Sequence, residues 1–172
     1  YAQNKRWPMS WLYRREADHL FHYEKHVAEA FDASLFVSSA EAELFRQLAP
    51  SLAPNVGYYN NGVDTEYFSP SSALPNPYPR GVEALVFTGA MDYWPNVDAV
   101  KWFAEQVFPR VREKRPSARF YIVGSKPAEE VRALARDNGI VVTGRVEDVR
   151  GYLQHAVAAV APMRIARGIQ NK

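Results

Sequence analysis

Three cations surround one glycine near the carboxyl end of this 172-residue chain: Arg164, Arg167 and Lys172, with Gly168 between them. Arginine stays charged, and its planar fork meets two oxygens of an anion at once. The segment follows an apolar run and reads as the start of a helix. Free N–H groups and the helix dipole favour an anion there and disfavour bare cations. The arrangement therefore suits an anionic ligand; the competing reading is a solvated basic turn. Gly89, Gly124 and Gly144 each close a short apolar run. A glycine at such a place lets backbone approach a ligand closely, and it also serves a tight strand-to-helix turn. The pattern G-x-G-x-x-G is absent after every run, which weighs against a dinucleotide site.

Other reactive side chains carry weaker signals. His19, His22 and His26 share a helical face, but no fourth ligand suggests a zinc site, and a polar face is the preferred reading. Trp94 offers a stacking surface for a base or sugar, or packs its loop. Asp92 either bonds a sugar hydroxyl or caps that loop, and His155 reads as a last-turn helix residue. No metal site is expected.

The elements that must hold these residues follow from periodicity. Residues 11–31 repeat apolar side chains at helical spacing: Tyr13, Ala17, Leu20, Val27, Ala28 and Phe31. Residues 33–38 and 56–59 read as short strands flanking a helix over 40–48, with Ser39 as its N-cap. Pro70, Pro75, Pro77 and Pro79 crowd residues 69–81, which reads as a linker between a segment over 1–68 and a domain over 82–172. In that domain, strands over 84–88, 119–123, 140–143 and 157–161 alternate with helices. Asn96 is expected to cap the first helix, Pro109 to kink it and Pro127 to open the second. Fully apolar strands alternating with helices predict an α/β fold: a Rossmann-like parallel sheet with helices on both faces. Ligands of such sheets bind outside the carboxyl ends of the strands.

Composition narrows the function. A net charge of +2, from 21 basic and 19 acidic residues, gives no reason for a nucleic-acid partner. The absence of cysteine removes disulfides, thiolate ligands and thiol nucleophiles, and it fits a cytoplasmic setting. The start at Tyr1 and the end at Lys172, without closing signals, suggest a segment of a longer protein.

The run Val56 to Pro70, centred on Asn61-Gly62-Val63-Asp64 and Phe68-Ser69-Pro70, resembles the interdomain signature of the group 1 (family 4) GT-B glycosyltransferases. Phe36 to Ser39, Phe87-Thr88-Gly89, residues 116–124 and Val142 to Val146 resemble further landmarks of that family. Residues 90–96 and 164–172 are most similar to a bacterial branch, the sugar transferases of PEP-CTERM/exosortase exopolysaccharide clusters. The resemblance implies an acceptor-side fragment over 1–68 and a truncated donor-binding domain over 82–172. It implies transfer of a sugar, usually with retention, from a nucleoside-diphosphate sugar to a glycan or lipid-linked acceptor. No cofactor or metal is implied. Such an acceptor leaves room for peripheral association of the full-length enzyme with the inner face of a membrane.

On that resemblance the donor-binding residues are Gly89, Ala90, Met91, Gly124, Gly144, Arg145, Val146, Arg164 and Gly168, with the base near Gly144 and the diphosphate near Gly89. The family's usual Arg and Lys after the first donor-domain strand are replaced by Asp92-Tyr93-Trp94, and Arg167 stands where the first Glu of its E-x7-E motif belongs. Arg167 and Lys172 are therefore assigned the catalytic role of stabilising the departing phosphate, and the segment alone is expected to be inactive. The rival functions are a nucleotide-sugar epimerase of the same architecture, for which no carboxylate–histidine cluster is assembled here, and a non-catalytic α/β binding module.

Overall fold

The computed structural model describes residues 7–165 and divides into two compact units, one running to Gly62 and the other from Val63. The first unit holds α1 (Met9–Ala30), β1 (Ser34–Phe36), α2 (Ser39–Leu48), a 3-10 segment (Pro50–Asn55) and β2 (Val56–Tyr58). β1 and β2 pair in parallel, Ser34 opposite Val56. The N-cap of α2 is Ser38, not Ser39. Ser38 has the extended backbone a cap needs, and its hydroxyl accepts the Glu41 N–H at 3.2 Å. The core here is small: Ala28, Ala42, Phe45, Ala49 and Val56. Leu20 and Phe31, assigned to the apolar face of α1, are exposed, and only Ala28 of that helix is buried.

The second unit is the predicted parallel sheet. Its strands are β3 (Glu83–Thr88), β4 (Ala118–Val123), β5 (Ile140–Gly144) and β6 (Ala158–Ala159), in the order β5-β4-β3-β6, all parallel. Side chains alternate between two buried faces. Phe87, Phe120 and Ile122 meet α3 (Trp94–Trp102), α4 (Phe108–Lys114) and α5 (Glu129–Leu134); Ala84, Val86, Tyr121 and Val123 pack with Tyr78 and with Tyr152 and Leu153 of α6 (Arg150–His155). Burial on both faces explains why the central strands β3 and β4 read as continuous apolar runs, whereas the two residues of the edge strand β6 are exposed.

Local chemistry moved several boundaries. α3 begins at Trp94, with Pro95 in its first turn, so Asn96 lies inside the helix and does not cap it. Between α3 and α4 lies one π-helical turn, Phe103–Val107, just ahead of Pro109. Proline cannot donate to the preceding turn and its ring crowds that turn, and the wider turn relieves both conflicts. α5 starts at Glu129, two residues after Pro127. The proline-rich residues 69–81 belong to the second unit and are tied to α6. Gln154 bonds both the N–H and the C=O of Ser71, His155 Nε2 lies 2.9 Å from the Leu74 carbonyl, and the Tyr78 hydroxyl donates to the Tyr152 carbonyl at 2.6 Å. Burial pushes the Tyr78 phenol pKa upward, so this donor stays protonated.

Candidate functional site

The strand order locates the crevice. The chain runs from β3 outward through β4 to β5, then crosses back to place β6 on the other flank of β3. The connections after β3 and β6 therefore diverge, and this topological switch point is where open α/β sheets bind ligands. Its carboxyl edge carries Gly89 and Ala90 on one lip and residues 162–165 on the other.

The loop after β3 is shaped by its own backbone and by one buried amide. Asn96, 4% exposed, donates from Nδ2 to the Ala90 carbonyl at 2.9 Å, while the Met91 N–H bonds Ser125 O at 2.8 Å and Met91 O accepts the Ala128 N–H. Ala90 is exposed at the edge. Met91 is fully buried in the core, so its side chain and N–H are both committed to the fold. Gly124 is required by the close approach of two loops, since a Cβ there would sit 1.7 Å from the Gly89 carbonyl oxygen. Gly144 sits at φ +72, with nothing within 4 Å of a built Cβ, so its conformation, not crowding, calls for glycine. A register shift between Ile122 and Val123 brings Gly144 opposite Val123. Arg145 is exposed beside it, and Val146 packs against the core on the α6 side.

Arg164 is not a bare cation. Its Nε donates to Asp98 Oδ2 at 3.0 Å, its Nη2 donates to Oδ1 of the same carboxylate, and the guanidinium stands 5.9 Å from the centre of the Trp102 ring. The hydrogen bonds to Asp98 raise the arginine pKa further. Arg164 also lines an open groove of about 690 Å³ along α3, together with Trp94, Trp102, Glu105 and Lys101. Asp92, Asp98, Glu105 and Glu130 outnumber Lys101 and Arg164 there, which makes the groove unsuited to a diphosphate. Arg167, Gly168 and Lys172 lie outside the described residues.

Sequence reasoning misassigns one residue and passes over two. Asn96 has the side chain of a cap, yet it holds the loop from within the helix. Asp98 is unremarkable until the fold brings Arg164 to it. Lys126, two residues beyond the strand-end glycine of β4, has φ 50 and places Nζ 3.6 Å from Asp92, a cation beside the loop that lacks its own. Its position after Gly124 is the available signal. His19, His22 and His26 are exposed on α1, and no cluster of three metal-ligating side chains occurs among the described residues.

A doubly wound parallel sheet with its crevice at the β3/β6 switch point is the architecture of a GT-B glycosyltransferase domain. The family model for glycosyl transferases group 1 matches residues 83–172, just over half of the chain, and the protein belongs to that family. No curated protein matches. Among solved structures, the fold is similar to HepE of Anabaena, solved in complex with UDP and glucose, with TM-score 0.55 and 13% identity over 81% of this chain and 40% of that one. It is also similar to TarM, with TM-score 0.50 and 14% identity over 79% of this chain and 26% of that one. The chain thus spans less than half the length of either structure. No described helix is long and apolar enough to cross a membrane.

Proposed function

We propose that this chain is the donor-binding part of an enzyme that transfers a sugar from a nucleoside-diphosphate sugar to a glycan or lipid-linked acceptor. The observation that carries this reading is the switch-point crevice of β3 and β6 in a chain of the group 1 family. Glycosidic bond cleavage develops positive charge on the sugar and negative charge on the departing phosphate, so fixed donors and cations aimed at that phosphate lower the barrier. The exposed Ala90 at the end of β3 is offered as the pyrophosphate contact, and Gly144 with Arg145 as the contact near the base. Arg167 and Lys172 supply the phosphate charge that the loop after β3 lacks. The narrower reading, retention of configuration in exopolysaccharide synthesis, rests on the resemblance of residues 90–96 and 164–172.

The test is ligand binding by the full-length enzyme that carries this chain. UDP is the first probe, since the similar HepE was solved with UDP, followed by GDP and ADP. A ligand that binds only the folded state, at about a hundred times its Kd, stabilises by about 2.7 kcal/mol and raises Tm. Product analysis then separates the rivals. A transferred sugar supports the proposal, an epimerised nucleotide sugar supports the epimerase, and binding without turnover supports a binding module. An unchanged Tm with all three nucleotides overturns the reading.

A further inference from the structure

Two connections leave the switch point in different directions, and one ion pair ties them together. Asp98 stands in α3, the helix that follows β3; Arg164 stands five residues beyond the end of β6. They are 66 positions apart in sequence and are joined by two hydrogen bonds in the fork geometry that suits a guanidinium and a carboxylate. Trp102, one turn along α3, lies beneath the guanidinium, and the neighbouring Met163 packs against the core. The Met163 N–H bonds Ala161 O at 2.8 Å, which tightens the chain just before the arginine. The path of residues 161–164 is thereby fixed against α3.

This arrangement decides what Arg164 can do. An arginine engaged twice by one carboxylate carries little net charge toward a third group. As a direct diphosphate ligand it would have to abandon Asp98 or share itself with it. As a tether it is well placed, because the ladder between β3 and β6 pairs just Leu85 with Ala158 and Val86 with Ala159. The Val160 N–H adds one more bond, to the Val86 carbonyl at 2.8 Å, and beyond it the side chains of Asp98 and Arg164 bridge the two lips.

We propose that Asp98 is a positioning residue for the transfer reaction: it holds Arg164 across the switch point and thereby sets the spacing between the loop after β3 and residues 161–164 after β6. The inference rests on the glycosyl-transfer reading above. Misplacing reacting groups by about 1 Å costs up to a hundredfold in rate, and loss of the tether should cost on the order of tenfold.

The experiment uses the full-length enzyme and whichever of UDP-glucose, GDP-mannose or ADP-glucose it cleaves, with release of the nucleoside diphosphate as the readout. Asp98→Asn and Arg164→Gln should each lower kcat by a similar factor, on the order of tenfold. The double variant should be no worse than either single one, because both remove the same contact. Affinity for the nucleoside diphosphate should stay within about twofold of wild type, a pattern that general loss of stability would not produce. If Asp98→Asn does not fold, Asp98→Glu and Arg164→Lys keep both charges and carry the test: kcat falls while affinity holds. A large affinity loss in Arg164→Gln alone, with tighter binding in Asp98→Asn, overturns the proposal and makes Arg164 a direct ligand. Additive losses, or an unchanged kcat in Asp98→Asn, overturn it as well. A wild-type enzyme that cleaves none of the three donors and binds no nucleoside diphosphate removes the parent reading itself.

Discussion

The two flanks of β3 are closed by different means. Toward β4 the ladder runs the full strand, from Glu83 opposite Ala118 to Thr88 opposite Val123. Beyond it the loops are stitched by backbone bonds, Gly89 N–H to Val123 O and Met91 N–H to Ser125 O, with Gly124 pressed against Gly89. Toward β6 two residue pairs register, flanked by bonds from Val157 N–H to Ala84 O and from Val160 N–H to Val86 O, and the edge beyond is spanned by the side chains of Asp98 and Arg164. The sealed flank commits the N–H groups of Gly89 and Met91 to the fold and leaves Ala90 exposed between them. A strand-end glycine is therefore no marker of a binding site by itself, since the glycine on the sealed side serves the close approach of two chain segments.

The largest effect expected from this contrast falls on the sealed flank. Gly124→Val would drive a Cβ into the Gly89 carbonyl, against backbone that cannot yield. Overpacking usually costs 1–3 kcal/mol and sometimes more, and the collision here should cost about 3 kcal/mol or more. Denaturant unfolding that shows a loss below about 1 kcal/mol would break the comparison. Arg167→Ala, in the segment beyond the open flank, should leave Tm near wild type. It should cost roughly 2–4 kcal/mol of transition-state stabilisation, by analogy with removal of one oxyanion donor, and appear chiefly in kcat. Full activity in that variant would return the basic tail to a solvated turn.

The smallest expected effect is a control away from both flanks. Asp148 accepts three hydrogen bonds from the Arg150 side chain and one from its N–H, and Arg150 also stacks 3.9 Å from the Tyr67 ring centre and donates to the Tyr67 carbonyl. The side-chain hydrogen bonds from Arg150 lower the Asp148 pKa below 3.8. A depressed folded-state pKa stabilises above the unfolded value and is lost as pH falls through the folded one. The Tm difference between wild type and Asp148→Asn should therefore be constant above about pH 5 and shrink below pH 3.8. A difference that persists unchanged well below pH 3.8 would remove the carboxylate from the account, and the substitution should not alter nucleotide affinity.

The sheet was legible because each strand is an apolar run ended by a glycine or proline, and because burial on both faces removes polar interruptions. The crevice was legible only as far as the carboxyl edge. Which pair of strands forms the switch point depends on the crossover from β5 to β6, which local periodicity does not encode. The Asp98–Arg164 pair depends on the same crossover and could not be read from a separation of 66 residues. Element starts slipped where two residues compete for one role: by one position for the cap of α2, between Ser38 and Ser39, and by three for α3, where Pro95 takes the first turn ahead of Asn96. Leu20 and Phe31 repeat at helical spacing, but spacing alone does not say what lies opposite them.

The π turn before Pro109 gives the helical region two rotational phases. Phe103 and Phe108 are five positions apart, yet both are buried, and their rings stack with centroids 6.4 Å apart. On an uninterrupted α-helix, five steps of about 100° would point them about 140° apart. The Phe108 N–H instead reaches the Phe103 carbonyl, closing the wider loop and absorbing one extra residue. Removing Glu105 would turn this stretch into an uninterrupted α-helix with the two phenylalanines four positions apart, about 40° around the axis and still on one face. Alignments of relatives would then carry a one-position gap in this region, and on either side of it the buried positions would keep separate counts.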